Sequence, residues 1–509
     1  MRSNRLATAF NVASAIITLG VQMAVSFFLS SYLVATLGEV ANGFTQLANN
    51  FVSYASLVTI AFNSMGSRFI SAAYHRGKIE DSIAYYSTLI VCNVILCLIF
   101  LPVAIAVLAN LGSIVDMGNA DPADVGMLFA FVFANFGANL FVSLFCSAMF
   151  VVNKVYIQNA INLFRNVLNA ALLVFVFSFF TTRVCYVSLI ALLLTIMSAP
   201  VSLIIKRRVV PELAFNAKAF SGKFVRDLTS SGIWNTVNQC GNILTTGLDL
   251  LFANWFVGAS PMGVLSVAKT MPTAITTLAT TLNNNLEPEL VIIYAKEGVE
   301  GLYRRVMMDI RLSNFIMAAP IGVFCALAPA FYRLWMPSLD AWELSVLSIL
   351  TISNFIPWAG PQVVYNVFTV MNRLKLNSAS FLGGAVLNFV SVLLALYFTD
   401  LGVYAIAGIS SIISVARNLV IIAPYVSSLL NKPWWTIHRE SFVSLISVAG
   451  SAVVALVIGV FIPTGSWGGL IVAILVSCFV SWFVVFLATF SREQRIRYIG
   501  LVKARLVND

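Results

Sequence analysis

Residues Ser231 to Trp255 read SGIWNTVNQCGNILTTGLDLLFANW, a stretch long and apolar enough to form a membrane-spanning helix. About 20 such residues cross the hydrocarbon core of a bilayer, which is roughly 30 Å thick. Polar residues nevertheless recur along it at helical spacing: Asn235, Asn238, Gln239, Asn242, Thr245, Thr246 and Asp249. Because an amide or carboxylate in hydrocarbon needs a partner or water, this stripe predicts a helix that faces protein or an aqueous cavity.

The remainder of the chain has the same apolar character. Of its 509 residues, 60% are hydrophobic and only 10% are charged, whereas soluble domains are about half apolar and a quarter charged. Apolar runs of membrane length recur from Leu6 to Phe490. The first run, from Leu6 to about Leu37, is too long for a signal-peptide core, so we expect it to be retained. The composition therefore predicts an all-α polytopic membrane protein.

The net charge of +10 is distributed unevenly along the chain. Basic breaks, such as those at Arg76 and at Lys206, alternate with acidic loops such as those at Asp121 and at Asp340. By the positive-inside rule the basic set is cytoplasmic, which predicts about 14 transmembrane helices with both termini in the cytoplasm. Topology explains the basic balance, so we expect no nucleic-acid partner.

An internal repeat divides the chain into two parts. The segment GEVANGFTQLANN, from Gly38, aligns without gaps with GASPMGVLSVAKT, from Gly258, and pairs Gly43 with Gly263. An even number of predicted helices separates the copies, which indicates a parallel repeat of two six-helix lobes around a central cavity. The predicted domains are an N-terminal lobe (1–208), an interfacial linker (209–226), a C-terminal lobe (227–430), and two further helices with a basic cytoplasmic tail (431–509).

Polar stripes also occur on the first two predicted helices, where they include Gln22, Asn42, Gln46 and Asn49. Interhelical hydrogen bonds would explain one stripe, but stripes on the leading helices of both lobes favour a shared aqueous cavity. Four ionisable residues lie within predicted spans, namely Arg165, Asp249, Lys269 and Arg417. Asp249 and Lys269 lie at similar depth and could neutralise each other. Arg165 and Arg417 have no acidic partner at their depth and are the best candidates for an anion site.

Other chemistry lacks a sequence signal. The seven cysteines form no CxxC pair, and there is no histidine cluster, GxxxxGK[ST] loop or HExxH motif. We therefore expect no catalytic residues, metal site or cofactor, and transport that does not use ATP directly. A proton, a sodium ion or the membrane potential could drive it, and Glu287 with Glu289 is a candidate region for a coupling ion.

The run GFTQLANNFVSYASLVTIAFNSMGSRFISAAYHRGKIEDSIAYYS (43–87), together with the two parallel lobes and two extra helices, resembles one transporter family. This is the polysaccharide-transporter branch of the multidrug/oligosaccharidyl-lipid/polysaccharide exporter superfamily, which includes O-antigen and capsule repeat-unit flippases. The resemblance implies that a polyprenyl-pyrophosphate-linked oligosaccharide moves between leaflets of a bacterial plasma membrane, by alternating access, for surface polysaccharide assembly. Membrane lipids and polysaccharide polymerase machinery would be its partners, and a monomer would suffice.

Two alternatives belong to the same superfamily. A cation-coupled multidrug exporter would call for acidic and aromatic cavity walls, and Asp249 is the only deep carboxylate that the sequence places. A flippase for the peptidoglycan precursor shares the helix number and the charge pattern of the first hypothesis. A membrane scaffold whose buried charges merely pair is the structural alternative.

Overall fold

The computed structural model describes residues 2–489, and its regular structure there is entirely helical. The α-helices, in chain order, are α1 (Arg2–Leu37), α2 (Glu39–His75), α3 (Ile79–Ala109), α4 (Leu111–Ile114), α5 (Pro122–Val151), α6 (Val155–Phe179), α7 (Cys185–Val209), α8 (Gly222–Asn242), α9 (Asp249–Phe256), α10 (Ala259–Ala268), α11 (Thr270–Trp335), α12 (Ala341–Ile352), α13 (Tyr365–Val370), α14 (Leu374–Phe398), α15 (Val403–Arg417), α16 (Ala423–Leu429), α17 (Trp435–Phe461) and α18 (Trp467–Thr489).

Membrane-length helices dominate the fold. Ten helical segments within residues 2–489 are long and apolar enough to cross a bilayer. One of them, Ala259–Trp335, bends at Gly298, where φ is 66°, a value that glycine adopts at little energetic cost. Because of this bend, the segment can cross the bilayer twice. The more polar α2, the pair α8 and α9, and the pair α12 and α13 add further rods, which gives about 14 segments of membrane length. The predicted all-α polytopic fold is confirmed.

Two interruptions in these rods are π-helical turns. One, Ile243–Gly247, joins α8 to α9, and the other, Asn418–Ile422, joins α15 to α16. Between α12 and α13 the chain instead forms short 3₁₀ turns at Ser353–Phe355 and Pro361–Val364. A proline cannot continue the hydrogen bonds of an α-helix, which explains the second of these breaks.

The contacts divide the chain into two compact units, Met1–Val267 and Ala268–Asp509. In the first unit α2 packs against α3, α5 and α8, while α5 runs along α7 and α1 along α6. The segment between α7 and α8 is anchored to this unit, because Leu213 is fully buried and the backbone N–H of Asn216 donates to Ser87 Oγ at 3.0 Å. The domain boundaries drawn from the sequence stay a prediction.

In the second unit α11 is the central element and packs against α12, α17 and α18. A row of buried serines lines the side of α17 that faces α11, where Ser447 Oγ accepts from Asn314 Nδ2 at 3.0 Å. The helices approach most closely at Gly322, where an added β-carbon would lie 2.4 Å from the carbonyl oxygen of Val448. Small residues allow such close approach between helices in a membrane, so α17 is an integral part of this unit.

The two glycines that the sequence repeat pairs are in contact with each other. A β-carbon on Gly43 would lie 2.9 Å from the Cα of Gly263, so α2 and α10 touch at equivalent positions. Beside this contact, Asn42 Nδ2 donates to Ser266 Oγ at 2.8 Å, and Ser260 Oγ donates to Glu39 Oε1 at 2.8 Å.

Candidate functional site

The polar stripe that opens the sequence analysis lies on α8 and continues into the π turn that follows it. Its residues Asn238, Asn242 and Thr246, which are four positions apart, are exposed along one line of the rod. Asn235 and Gln239 are half-buried beside that line. The first unit therefore presents a row of polar side chains along about two turns of a helix of membrane length.

The polar residues of α1 and α2 divide into two groups. Gln22, Gln46 and Asn49 are exposed, and the Asn49 amide donates to the carbonyl oxygen of Thr45 on its own helix at 2.9 Å. Asn42, in contrast, is fully buried and its amide is used in the contact with Ser266. Three of these four predicted residues thus have accessible side chains, and the fourth fastens α2 to α10.

Asp249 and Lys269, which the sequence places at similar depth, lie in different units. Asp249 is buried at the start of α9, directly after the π turn, and Lys269 is half-buried at the residue that precedes α11. Their mutual neutralisation stays a prediction.

Arg165 lies inside the first unit, on α6. Its Nη2 donates to Thr195 Oγ1 on α7 at 2.9 Å, and Thr195 is fully buried. Within residues 2–489 no carboxylate forms an ion pair with this guanidinium. Arg165 is therefore a half-buried cation whose partner is a neutral hydroxyl.

Arg417 is the last residue of α15 and lies in an aromatic setting. Its Nη2 donates to Tyr365 Oη at 2.8 Å, and its guanidinium carbon lies 5.0 Å from the ring centre of Phe381 and 5.7 Å from that of Tyr365. Tyr365 Oη in turn donates to Asn418 Oδ1 at 2.6 Å. These contacts join α13, α14 and the second π turn around one positive charge.

The guanidinium of Arg417 is not saturated by these partners. Its Nε is buried and has no hydrogen-bond partner among the described residues, and no carboxylate there pairs with the group. A buried donor without a partner costs about 1–3 kcal/mol, and more when it is charged. The Nε–H of Arg417 is therefore a hydrogen-bond donor that the described residues leave unused.

The residues around Arg417 were missed by sequence reasoning. Tyr365 and Phe381 look like ordinary residues of apolar helices, and Asn418 follows the arginine without any distinguishing pattern. One available signal was the pair Pro357 and Pro361, because a proline-interrupted helix in a membrane exposes backbone that must be accommodated. Tyr365 follows directly on the 3₁₀ turn that begins at Pro361.

An ionic network lies near the Gly298 bend of the second unit. Arg305 pairs with Glu289 at 2.8 Å and with the buried Asp309 at 3.0 Å, and it thereby connects the two arms of α11. Glu287 is half-buried on the first arm. Among the described residues, no three His, Cys, Asp or Glu side chains converge as metal ligands would.

Comparison with solved structures identifies the fold as that of transporters of the MOP superfamily. The chain matches a structure of the lipid II flippase MurJ in an inward closed conformation, with a TM-score of 0.66, 12% identity, and coverage of 97% of this chain and 99% of that one. It also matches an inward-facing multidrug resistance MATE family transporter of the MOP superfamily, with a TM-score of 0.65, 13% identity, and coverage of 84% and 99%.

A curated relative covers almost the whole sequence. The uncharacterized membrane protein EpsK of Bacillus subtilis (strain 168) is 25% identical over 483 residues, which are 92% of this chain and 93% of the relative. No family model matches the chain. The protein is thus a multi-pass membrane protein with the two-lobe fold of MOP superfamily transporters.

Proposed function

We propose that this protein is a flippase that carries a polyprenyl-pyrophosphate-linked oligosaccharide from the cytoplasmic to the outer leaflet of a bacterial plasma membrane. The proposal rests on its superfamily fold and, above all, on one observation. Arg417 is a cation held at a break in a membrane helix by neutral and aromatic groups, and its buried Nε–H has no acceptor among residues 2–489.

A pyrophosphate suits this unsatisfied donor. Guanidinium groups bind phosphate oxygens through two parallel hydrogen bonds, a geometry that Lys cannot offer. Placing an arginine near the centre of a membrane helix costs about 2.5–3.5 kcal/mol on the insertion scale, so such a residue is expected to be functional. Arg165, whose described partner is the hydroxyl of Thr195, is the corresponding candidate of the first unit.

The exposed polar rows suit the sugar portion of the substrate. Saccharide hydroxyls both donate and accept, and side-chain amides do the same. Asn238 and Asn242 on α8 and Gln46 and Asn49 on α2 present such amides. The prenyl chain has no need of a polar path and would remain in lipid, with membrane lipids as the other partners. One chain suffices for this cycle, and surface polysaccharide polymerase machinery would receive the product.

The share of this chain that each solved structure matches favours a lipid flippase over a multidrug exporter. The match with the lipid II flippase extends over 97% of this chain, whereas the match with the MATE transporter covers 84%. A match over 97% of the chain is long enough to include α17 and α18, which pack on α11 as part of the second unit. A peptidoglycan-precursor substrate is the alternative within the flippase class, because lipid II also combines a pyrophosphate with saccharide.

Native mass spectrometry of the purified protein with undecaprenyl pyrophosphate tests the site. We expect Arg417→Ala to weaken binding by about 10- to 100-fold, since a hydrogen bond to a charged group contributes about 1.5–3 kcal/mol. Arg417→Lys should recover part of the affinity, because charge returns without the planar pair of donors. Arg304→Ala is the matched control, as that guanidinium is exposed and paired with Glu297 at 3.1 Å.

The outcomes separate the candidate functions. Unchanged lipid binding in both Arg417 variants would remove this residue from the substrate site. Binding of a lipophilic cationic dye in place of the lipid would favour the multidrug exporter. In cells, depletion that is lethal through loss of cell wall would identify the peptidoglycan precursor, whereas loss of an accessory surface polysaccharide alone would support the proposed substrate.

A further inference from the structure

A half-open surface pocket, here called the cavity, lies where α11 ends and α12 begins. Its volume is about 420 Å³, and its walls include Pro329, Arg333, Pro337, Asp340 and Trp342. Pockets for small ligands have volumes of about 300–1,000 Å³. The charge pattern of the sequence predicts that this loop lies on the outer side of the membrane. The pocket residues are distinct from both arginines singled out above.

The loop that lines this cavity is held by burial at one end and by a helix cap at the other. Trp335 and Met336, at the end of α11, are buried, and the backbone amide of Leu339 donates to the carbonyl oxygen of Met336 at 3.1 Å. Asp340 is the N-cap of α12, where its Oδ1 accepts from the Trp342 amide at 2.8 Å. A short loop that is fixed at both ends holds its side chains with little loss of entropy on binding.

The chemistry of the cavity is that of a saccharide site. The Trp342 side chain is 68% exposed and offers an apolar aromatic face, while Pro329 and Pro337 supply further apolar surface. The Arg333 guanidinium is exposed and has no ion-pair partner among the described residues. The second carboxylate oxygen of Asp340 accepts no hydrogen bond in the described part of the chain. Donors, an acceptor and an aromatic face thus surround one space.

The charges of this cavity favour a neutral ligand. Arg333 and Asp340 carry opposite charges in the same wall, so a phosphate would meet a carboxylate beside its guanidinium. A neutral polyhydroxyl compound can donate to the carboxylate and accept from the guanidinium, and both bonds are charge-assisted. Its C–H faces can at the same time cover the indole.

We propose that this cavity binds the saccharide portion of the transported lipid after it has reached the outer leaflet. The inference rests on the proposed function and adds a location for the sugar that is distinct from the site for the pyrophosphate. An outer saccharide site would hold the head group away from the return path and so favour release in one direction.

Saturation-transfer-difference NMR of the full-length protein in nanodiscs, with maltotriose and triacetylchitotriose as soluble probes, tests the proposal. We expect saturable binding to at least one of the two trisaccharides. Trp342→Ala and Arg333→Ala should each weaken it about tenfold or more, as expected for loss of a bond to a charged group or of an aromatic face. Arg183→Ala is the matched control, because Arg183 is also exposed in a loop predicted to be external.

Three results would overturn the inference. They are the absence of saturable binding to both probes, equal binding by the wild type and the Trp342 variant, and binding of inorganic pyrophosphate with displacement of the trisaccharide. In the second case Trp342 is an interfacial anchor of the kind that aromatic residues form at membrane surfaces. None of these results bears on the binding of undecaprenyl pyrophosphate at Arg417, so the proposed function is tested independently.

Discussion

Replacing Gly263 with alanine tests the contact between α10 and α2. An added β-carbon would lie 2.5 Å from the carbonyl oxygen of Glu39 and 2.9 Å from the amide nitrogen of Val40. Both atoms belong to the backbone at the start of α2, so no change of rotamer relieves the overlap. Overpacking of this kind costs about 1–3 kcal/mol, and the better helix propensity of alanine returns at most about 1 kcal/mol. We expect a net loss of up to about 2 kcal/mol from these two effects.

Gly20→Ala is the matched control, because Gly20 lies in the middle of α1 and a β-carbon there would meet no atom within 4 Å. Its helix propensity alone should stabilise the protein by up to about 1 kcal/mol. Fluorescence-detected size-exclusion chromatography after heating, in one detergent, measures both variants. Gly263→Ala should lower the apparent Tm by up to roughly 2 °C, whereas Gly20→Ala should leave it unchanged or raise it. An increase for both variants would refute the packing of α10 on α2.

The remaining predictions concern buried and exposed polar groups. Asn42→Ala should lower the apparent Tm, since it removes the hydrogen bond to Ser266. Asn238→Ala should leave the Tm unchanged and reduce transport. Equal Tm values for the two variants would contradict the conclusion that Asn42 is buried in a contact and Asn238 is exposed. Arg305→Ala should destabilise the protein by about 3–5 kcal/mol, because the buried carboxylate of Asp309 then lacks its positively charged partner. In a thermal-unfolding measurement, the double variant with Asp309→Asn should recover most of this loss. Gly322→Ala should destabilise the α17 packing by about 1–3 kcal/mol, and retention of the wild-type Tm would count against that contact.

Much of the fold could be predicted from the sequence because helix length and hydrophobicity are local properties. Apolar runs set the membrane segments, and the charge alternation set their number. The repeat was also readable, and the contact of Gly43 with Gly263 supports it. The π turns and the 3₁₀ breaks were not predictable at that level, since a turn that skips one hydrogen bond leaves the hydrophobic pattern almost unchanged.

The candidate site, like the fold, could be predicted from the sequence only in part. Buried charge is conspicuous in an apolar sequence, and for that reason Arg165 and Arg417 stood out. Tyr365 lies 52 residues before Arg417 in the chain and contacts it only because α13 and α15 are brought together by the fold. The stripe on α2 illustrates a second limit. Asn42 and Gln46 share one helix face, but α10 covers only the first, so periodicity identified the face and tertiary packing decided the role of each residue.

The helix breaks themselves carry information about function. Irregular backbone at membrane depth is tolerated where protein or water satisfies its polar groups, and both π turns meet that demand through side chains. Tyr54 Oη donates to the carbonyl oxygen of Gly247 in the first turn at 2.7 Å, and His438 Nε2 donates to that of Leu419 in the second at 2.9 Å.

Each π turn adjoins a group of polar residues that the sequence had singled out on independent grounds. The first follows the α8 stripe and precedes Asp249, and the second begins directly after Arg417. A π turn is rare in α-helices and occurs frequently at functional sites. If Arg417 and the polar residues of α8 only paired within a scaffold, regular helices would serve equally well. The coincidence of a helix break with polar or cationic residues in both units therefore favours a substrate pathway over a structural role.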